Sequence, residues 1–125
     1  MAINQAAIID LNQAIDRHAQ WKVKFRVAIT EHETMDVETI AKDNCCELGK
    51  WLHGEAKSKY GHLSSHSDCV AKHAAFHIQA SKVAAAINDK KYAEAEAMIE
   101  MNTPYSNASR DVAGAILKLK KESGL

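Results

Sequence analysis

From Ile8 almost to the C-terminus, apolar residues recur at steps of three and four, and this spacing constrains the fold more than any other feature of the chain. Such steps line one face of an α-helix, whereas a strand would alternate by two. The first stripe reads Ile8, Leu11, Ile15, His18, Phe25 and Ile29, with a break at Lys22. It predicts a helix from about residue 4 to about residue 30. The second reads Leu63, His66, Val70, His73, His77, Ala80, Ala84 and Ile87, with Ser64 or Ser65 as the expected N-cap and Asn88-Asp89 as the end. A short helix from about residue 90 to 101 carries Tyr92, Ala95, Met98 and Ile99. The last stripe reads Tyr105, Ala108, Val112, Ile116 and Leu119. It follows Thr103-Pro104, an N-cap and then proline at the first helical position, where its missing N–H costs nothing. The lysines near its end suit the negative end of the helix dipole.

Residues 32 to 63 are choppier. Asp36 is placed to cap a short helix through Ile40 to Lys42. Cys46-Glu-Leu-Gly-Lys-Trp-Leu52 follows, an apolar segment with Gly49 at its centre, then Gly54 and Gly61. This connector reads as short helical pieces rather than as a strand. One proline and five glycines disfavour a turn-rich β-sandwich or barrel. The chain of 125 residues suits one domain, residues 1–125. The expectation is an all-α, antiparallel four-helix-type bundle with one or two additional short helices in the 32–63 connector.

Composition excludes several functions. Sixteen basic residues balance sixteen acidic ones, so no basic excess favours nucleic acid or a membrane surface. No run approaches the roughly 20 apolar residues of a membrane span. The N-terminus lacks the basic start of a signal peptide. Three cysteines, with Cys45 and Cys46 adjacent, do not make a disulfide framework and point to a reducing, cytoplasmic setting.

Seven histidines stand out against this neutral background. His73 and His77 are four apart on one apolar stripe, so both rings can reach one metal ion. Buried without partners they would be costly. His18 sits on the stripe of a different helix, with Trp21 beside it. A fourth ligand should come from the connector. Cys46 is the best candidate, because Leu48, Trp51 and Leu52 would pin its segment to the bundle. Cys69 lies eight residues before His77, about 12 Å along a helix axis, too far to share an ion, and reads as core filler. His62 and His66 repeat the i, i+4 spacing, but His62 is expected to precede the helix and His66 is too far from His77. His32 and His53 are expected to be solvated loop residues. Three imidazoles and one thiolate in four-coordination suit Zn²⁺, one per chain.

These residues resemble the bacterial chemoreceptor zinc-binding (CZB) domain family. The matching features are His18-Ala-Gln-Trp21, Cys46-Glu-Leu-Gly-Lys-Trp51, His73-Ala-Ala-Phe-His77 and the Thr103-Pro104-Tyr105 turn. The resemblance implies His18, Cys46, His73 and His77 as zinc ligands, with Cys46 redox-reactive and Trp21, Leu48, Gly49 and Trp51 supporting the site. It also implies a cytoplasmic regulatory module, a homodimer, working with a chemoreceptor or diguanylate cyclase output domain. Such domains are associated with sensing zinc or hypochlorous acid. A zinc hydrolase would need an open coordination position and a base, as in HExxH, and position 74 is Ala. A hemerythrin-like di-iron bundle would need further histidines and bridging carboxylates, and no histidine follows His77. A purely structural dimerisation bundle is the remaining alternative.

Overall fold

A computed structural model describes residues 10–125. The expected helix start near residue 4, and Ile8, lie outside the described residues. Among the described residues the regular structure is all helical, with no strand. The first arm is α1 (Leu11–Ala19) and α2 (Trp21–Glu31), interrupted at Gln20, close to the break in the apolar stripe at Lys22. Asp10 caps it by accepting from the Gln13 N–H. The connector holds three short helices, α3 (Val37–Ala41), α4 (Glu47–His53) and α5 (Glu55–Tyr60), one more than the upper expectation. The extra break falls at Gly54, whose φ of −105° and ψ of −106° are not helical. The long α6 (Ser64–Asn88), the short α7 (Tyr92–Met98) and α8 (Pro104–Ser123) follow.

Specific pairings fix the arrangement. Phe25 meets Tyr105 while Asn12 accepts from Lys120, so the first arm and α8 run in opposite directions. The connector descends α6 step by step. Met35 pairs with Asn88, Ile40 with His77, Cys46 with His73 and Leu52 with His66. The fourth arm of this antiparallel bundle is thus the chopped connector. Phe25, Leu48, Leu52, Phe76, Ile87, Ile116 and Leu119 fill the core between the arms.

Two capping expectations fare differently. Thr103 caps α8 in a reciprocal box: its hydroxyl accepts from the Ser106 N–H at 3.2 Å, and the Ser106 hydroxyl accepts from the Thr103 N–H at 3.1 Å. Neither Ser64 nor Ser65 caps α6. The helix already begins at Ser64, with Leu63 in the N-cap position, and the Ser65 hydroxyl is buried without a partner. The helix thus starts one residue before a Ser64 cap, and two before a Ser65 cap, would place it, with Leu63 half-buried and His66 buried.

Candidate metal centre

His73 and His77 project from adjacent turns of α6 toward the connector, and His18 comes to meet them from α1. Their Nε2 atoms converge: 3.0 Å between His77 and His73, and 3.1 Å between His73 and His18. The Cys46 sulfur completes the group at 3.2 Å from His73, 3.7 Å from His77 and 3.9 Å from His18. Four donors at ordinary zinc bond lengths around one tetrahedral ion would stand about 3.3–3.6 Å apart. The observed spacings bracket that range.

The orientation of each ring follows from its other nitrogen. His18 Nδ1 lies 2.7 Å from the Ala14 carbonyl and His77 Nδ1 lies 2.9 Å from the Ile40 carbonyl. A carbonyl only accepts, so each Nδ1 carries its proton and each Nε2 presents a lone pair to the cluster. Three nitrogens and a sulfur facing one another at these distances are a ligand set that one cation would satisfy. The residues present therefore fit a metal ion. His73 Nδ1 has no hydrogen-bond partner and the residue is fully buried.

Burial sets the protonation in the same direction. Desolvation holds His18, His73 and His77 below the ordinary imidazole range, His73 down to about 2. For His18 and His77 the carbonyl bonds oppose that shift without overcoming it. Neutral imidazole is the metal-binding form. Burial pushes the Cys46 thiol up, against the lowering effect of the Gly49 and Leu48 backbone N–H groups.

Cys46 is held by local backbone geometry. It is the N-cap of α4, in extended conformation, and its sulfur accepts from the Gly49 N–H at 3.3 Å. A Cβ on Gly49 would stand 1.6 Å from the Asp43 carbonyl oxygen, so only glycine lets the 43–49 loop close this tightly. Leu48 and Leu52 anchor the segment in the core, and half-buried Trp51 packs near Tyr60 at a ring separation of 6.3 Å. Trp21, one turn past His18, packs against Phe25 with the rings tilted at 34°.

The remaining histidines and cysteines stay outside the cluster. His66 is buried, with Nε2 at 2.9 Å from the Leu52 carbonyl, and His62 is exposed. His32 and His53 are exposed, as expected, but His53 is the last residue of α4 rather than a loop residue and each has a partner. His32 ends α2 with a positive φ of 54° and stacks on Tyr92 at 4.0 Å, and His53 pairs with Asp43 at 2.9 Å. Both found partners that become neighbours only once the chain folds. Cys45 is exposed and Cys69 is buried core. The Ala14 and Ile40 carbonyls that orient the rings carry no signal in the sequence, because any residue supplies a carbonyl. Among the described residues, His18, Cys46, His73 and His77 form the group of potential metal ligands, their donor atoms all within 4.8 Å of one another.

A family model described as the chemoreceptor zinc-binding domain matches residues 18–84, from the first of these four residues to beyond the last. The chain belongs to that family. No curated protein and no solved structure is matched by the chain. The stretch matched to the chemoreceptor zinc-binding domain holds the first arm from His18, the connector and most of α6. These are the three segments that bring the cluster together. No helix among the described residues is long and apolar enough to cross a membrane.

Proposed function

We propose that this chain is a zinc-binding regulatory domain whose ligands are His18, Cys46, His73 and His77, and which senses an oxidant such as hypochlorous acid through Cys46. The observation that carries the reading is the convergence of three Nε2 atoms and one sulfur, with two of the rings fixed by Nδ1–H bonds to carbonyls. Four protein ligands fill a tetrahedral shell and leave no position for a substrate water, which favours sensing or structure over catalysis. When bound, zinc holds a coordinating sulfur as the thiolate at neutral pH.

Cys46 is then the one anionic ligand. Its thiolate sulfur takes the oxygen of hypochlorous acid, chloride leaves, and the product is a sulfenic acid, a weaker ligand. A Cys46 sulfur that no longer held the ion would leave the 46–52 segment free to repack, while His18, His73 and His77 would keep their places. A short element biased by one local bond is what a switch requires. The domain would work in the cytoplasm as a homodimer that passes the change to a chemoreceptor or cyclase output. A second reading takes the zinc level itself as the signal, since removal of the ion frees the same segment. A third, a zinc-stabilised dimerisation module, has no moving part.

Metal analysis of protein purified without chelator is expected to give one zinc per chain, and none or two would overturn the site. Cys46→Ala is expected to stay folded, to keep a weaker zinc site and to lose its response to oxidant. A Cys46→Ala variant that still changed conformation with stoichiometric hypochlorous acid would remove the thiolate from the mechanism. Zinc-dependent output without any oxidant response would favour the second reading.

A further inference from the structure

A cleft of about 380 Å³ opens between α1 and the start of α4, and His18 and Cys46 line it while His73 and His77 do not. Its charged lining is already engaged. Asp10 caps α1, Arg17 is ion-paired with Glu47, and the Lys24 ammonium sits 4.5 Å over the Trp21 ring. A cleft whose charged side chains already have partners is better suited to passage than to holding a charged ligand of its own.

The Arg17–Glu47 pair has a particular position in it. Arg17 precedes His18 on one wall, Glu47 follows Cys46 on the other, and their ion pair crosses from wall to wall. We propose that the Arg17–Glu47 ion pair is the gate of this cleft, and that it controls the rate at which small reagents reach the Cys46 sulfur and exchange occurs at the metal centre. The metal part of this inference rests on the zinc reading above; the access part does not. A reagent entering here meets Cys46 and His18 first, and the α6 pair last. Both gate residues are well exposed, with side chains 52% and 68% accessible. Such a pair is weak and salt-screened, so it opens readily and modulates rates rather than sealing the site.

Two rates test this in the full chain. Zinc transfer to the chelator 4-(2-pyridylazo)resorcinol reads the metal centre. Thiol–disulfide exchange with uncharged 4,4′-dithiodipyridine reads the sulfur in metal-stripped protein. In that exchange the Cys46 thiolate forms a mixed disulfide and one thiopyridine leaves. A Cys45→Ser background removes the exposed neighbouring thiol. Glu47→Gln is expected to speed both reactions about two- to fivefold at low salt, the range an exposed pair supports. High salt should bring the parent protein up to the variant's rate. Reversing the pair, Arg17→Glu with Glu47→Arg, should restore the slow rates.

Equal rates in parent and Glu47→Gln at low salt would overturn the gate, and so would failure of the reversed pair to restore them. An acceleration matched by an equal loss of global stability in thermal melts would also overturn it, since the pair would then be a structural tie. Should the chain bind no zinc, the proposed function fails, and the thiol rate alone still decides the gate.

Discussion

His73 and His77 stand on one helix of 25 residues, α6, whereas Cys46 stands at the N-cap of a seven-residue helix in an arm built from three short pieces. The histidine pair is held by the longest regular element of the bundle, whose inner face is buried from Ser65 to Ile87. The cysteine is held by a hydrogen bond from one backbone N–H, two buried leucines and a glycine that permits a close approach. Moving His73 would require bending a packed helix. Moving Cys46 requires uncapping seven residues. A centre with one rigid half and one detachable half can lose a ligand without losing its frame.

Acid should separate the halves most strongly. In metal-free protein His18, His73 and His77 have folded pKa values below the ordinary 6.5, because burial disfavours their charged forms. The unfolded chain therefore binds more protons as the pH falls, and stability that is intact above 6.5 declines below it, for His73 down to about 2. Each histidine contributes about 1.4 kcal/mol per pH unit within its window. The Cys46 thiol is neutral throughout this range, its pKa being raised rather than lowered. Chelated His73→Ala should show a flatter loss of melting temperature between pH 6.5 and 4.5, and chelated Cys46→Ala the parent slope. The reverse ranking would show that the histidine half is not the buried one in solution.

With zinc present, the same contrast appears as affinity. Replacing a metal ligand costs more than removing an outer partner, which already lowers affinity about 10- to 100-fold. His73→Ala should therefore exceed about 100-fold in a chelator competition, because it removes the ring central to the cluster, 3.0–3.2 Å from the other three donors. Cys46→Ala should lose less, since its three imidazoles stay oriented by the surrounding frame. If Cys46→Ala proved the weaker binder of the two, the thiolate would outweigh the preorganised histidines and the two halves would exchange roles.

Gly49→Ala addresses the detachable half alone. The added methyl would overlap the Asp43 carbonyl, a backbone atom that cannot swing away, so the 43–49 loop must shift. Overpacking of this kind costs about 1–3 kcal/mol, and here the shift would carry Cys46 with it. Gly114→Ala in α8 is the control. Nothing lies within 4 Å of its Cβ position, and alanine in a helix interior should stabilise by about 0.5–1 kcal/mol. Urea midpoints and zinc affinity measured together should show both falling in Gly49→Ala, with Gly114→Ala leaving affinity unchanged. A Gly49→Ala protein with full zinc affinity would show that the loop does not position the sulfur.

The two halves also differed in how far they could be read from sequence. Regular periodicity makes α6 and α8 legible, since every third or fourth residue reports the buried face, and the His73–His77 spacing is local to one helix. Thr103 and Pro104 mark a helix start by chemistry that needs no tertiary partner. The convergence of His18 and Cys46 on that pair spans 55 and 27 residues of chain to His73. Only the stripe positions and the family resemblance point to it, and the match over residues 18–84 supports that resemblance. Three features left no sequence trace: the serines that do not cap α6, the His53–Asp43 and His32–Tyr92 partnerships, and the carbonyls that set the ring tautomers. The Ile40 carbonyl and the Tyr92 ring arrive from distant parts of the chain, while the Ala14 carbonyl is local but is a backbone atom that any residue would supply.

The smallest effect concerns Cys69, one turn before His73 on α6 and fully buried, where Cys46 is half-buried. Burial pushes its thiol up to about 12 from 9.0, with Asp68 adding to the shift. A raised folded pKa means that stability is fully present below 9.0 and is lost as the pH climbs from there toward 12, the opposite limb from that of the histidines. Cys69→Ala removes this ionisation and leaves a small void, so it should be slightly less stable at pH 7 and show a shallower decline above pH 9. Its effect on zinc affinity at neutral pH should be negligible, because the sulfur is no part of the four-donor cluster. Thermal melts at pH 7 and 10, set beside a zinc competition, separate these outcomes. A marked loss of zinc affinity in Cys69→Ala would mean that the rigid half extends one turn further along α6 than the ligand pair itself.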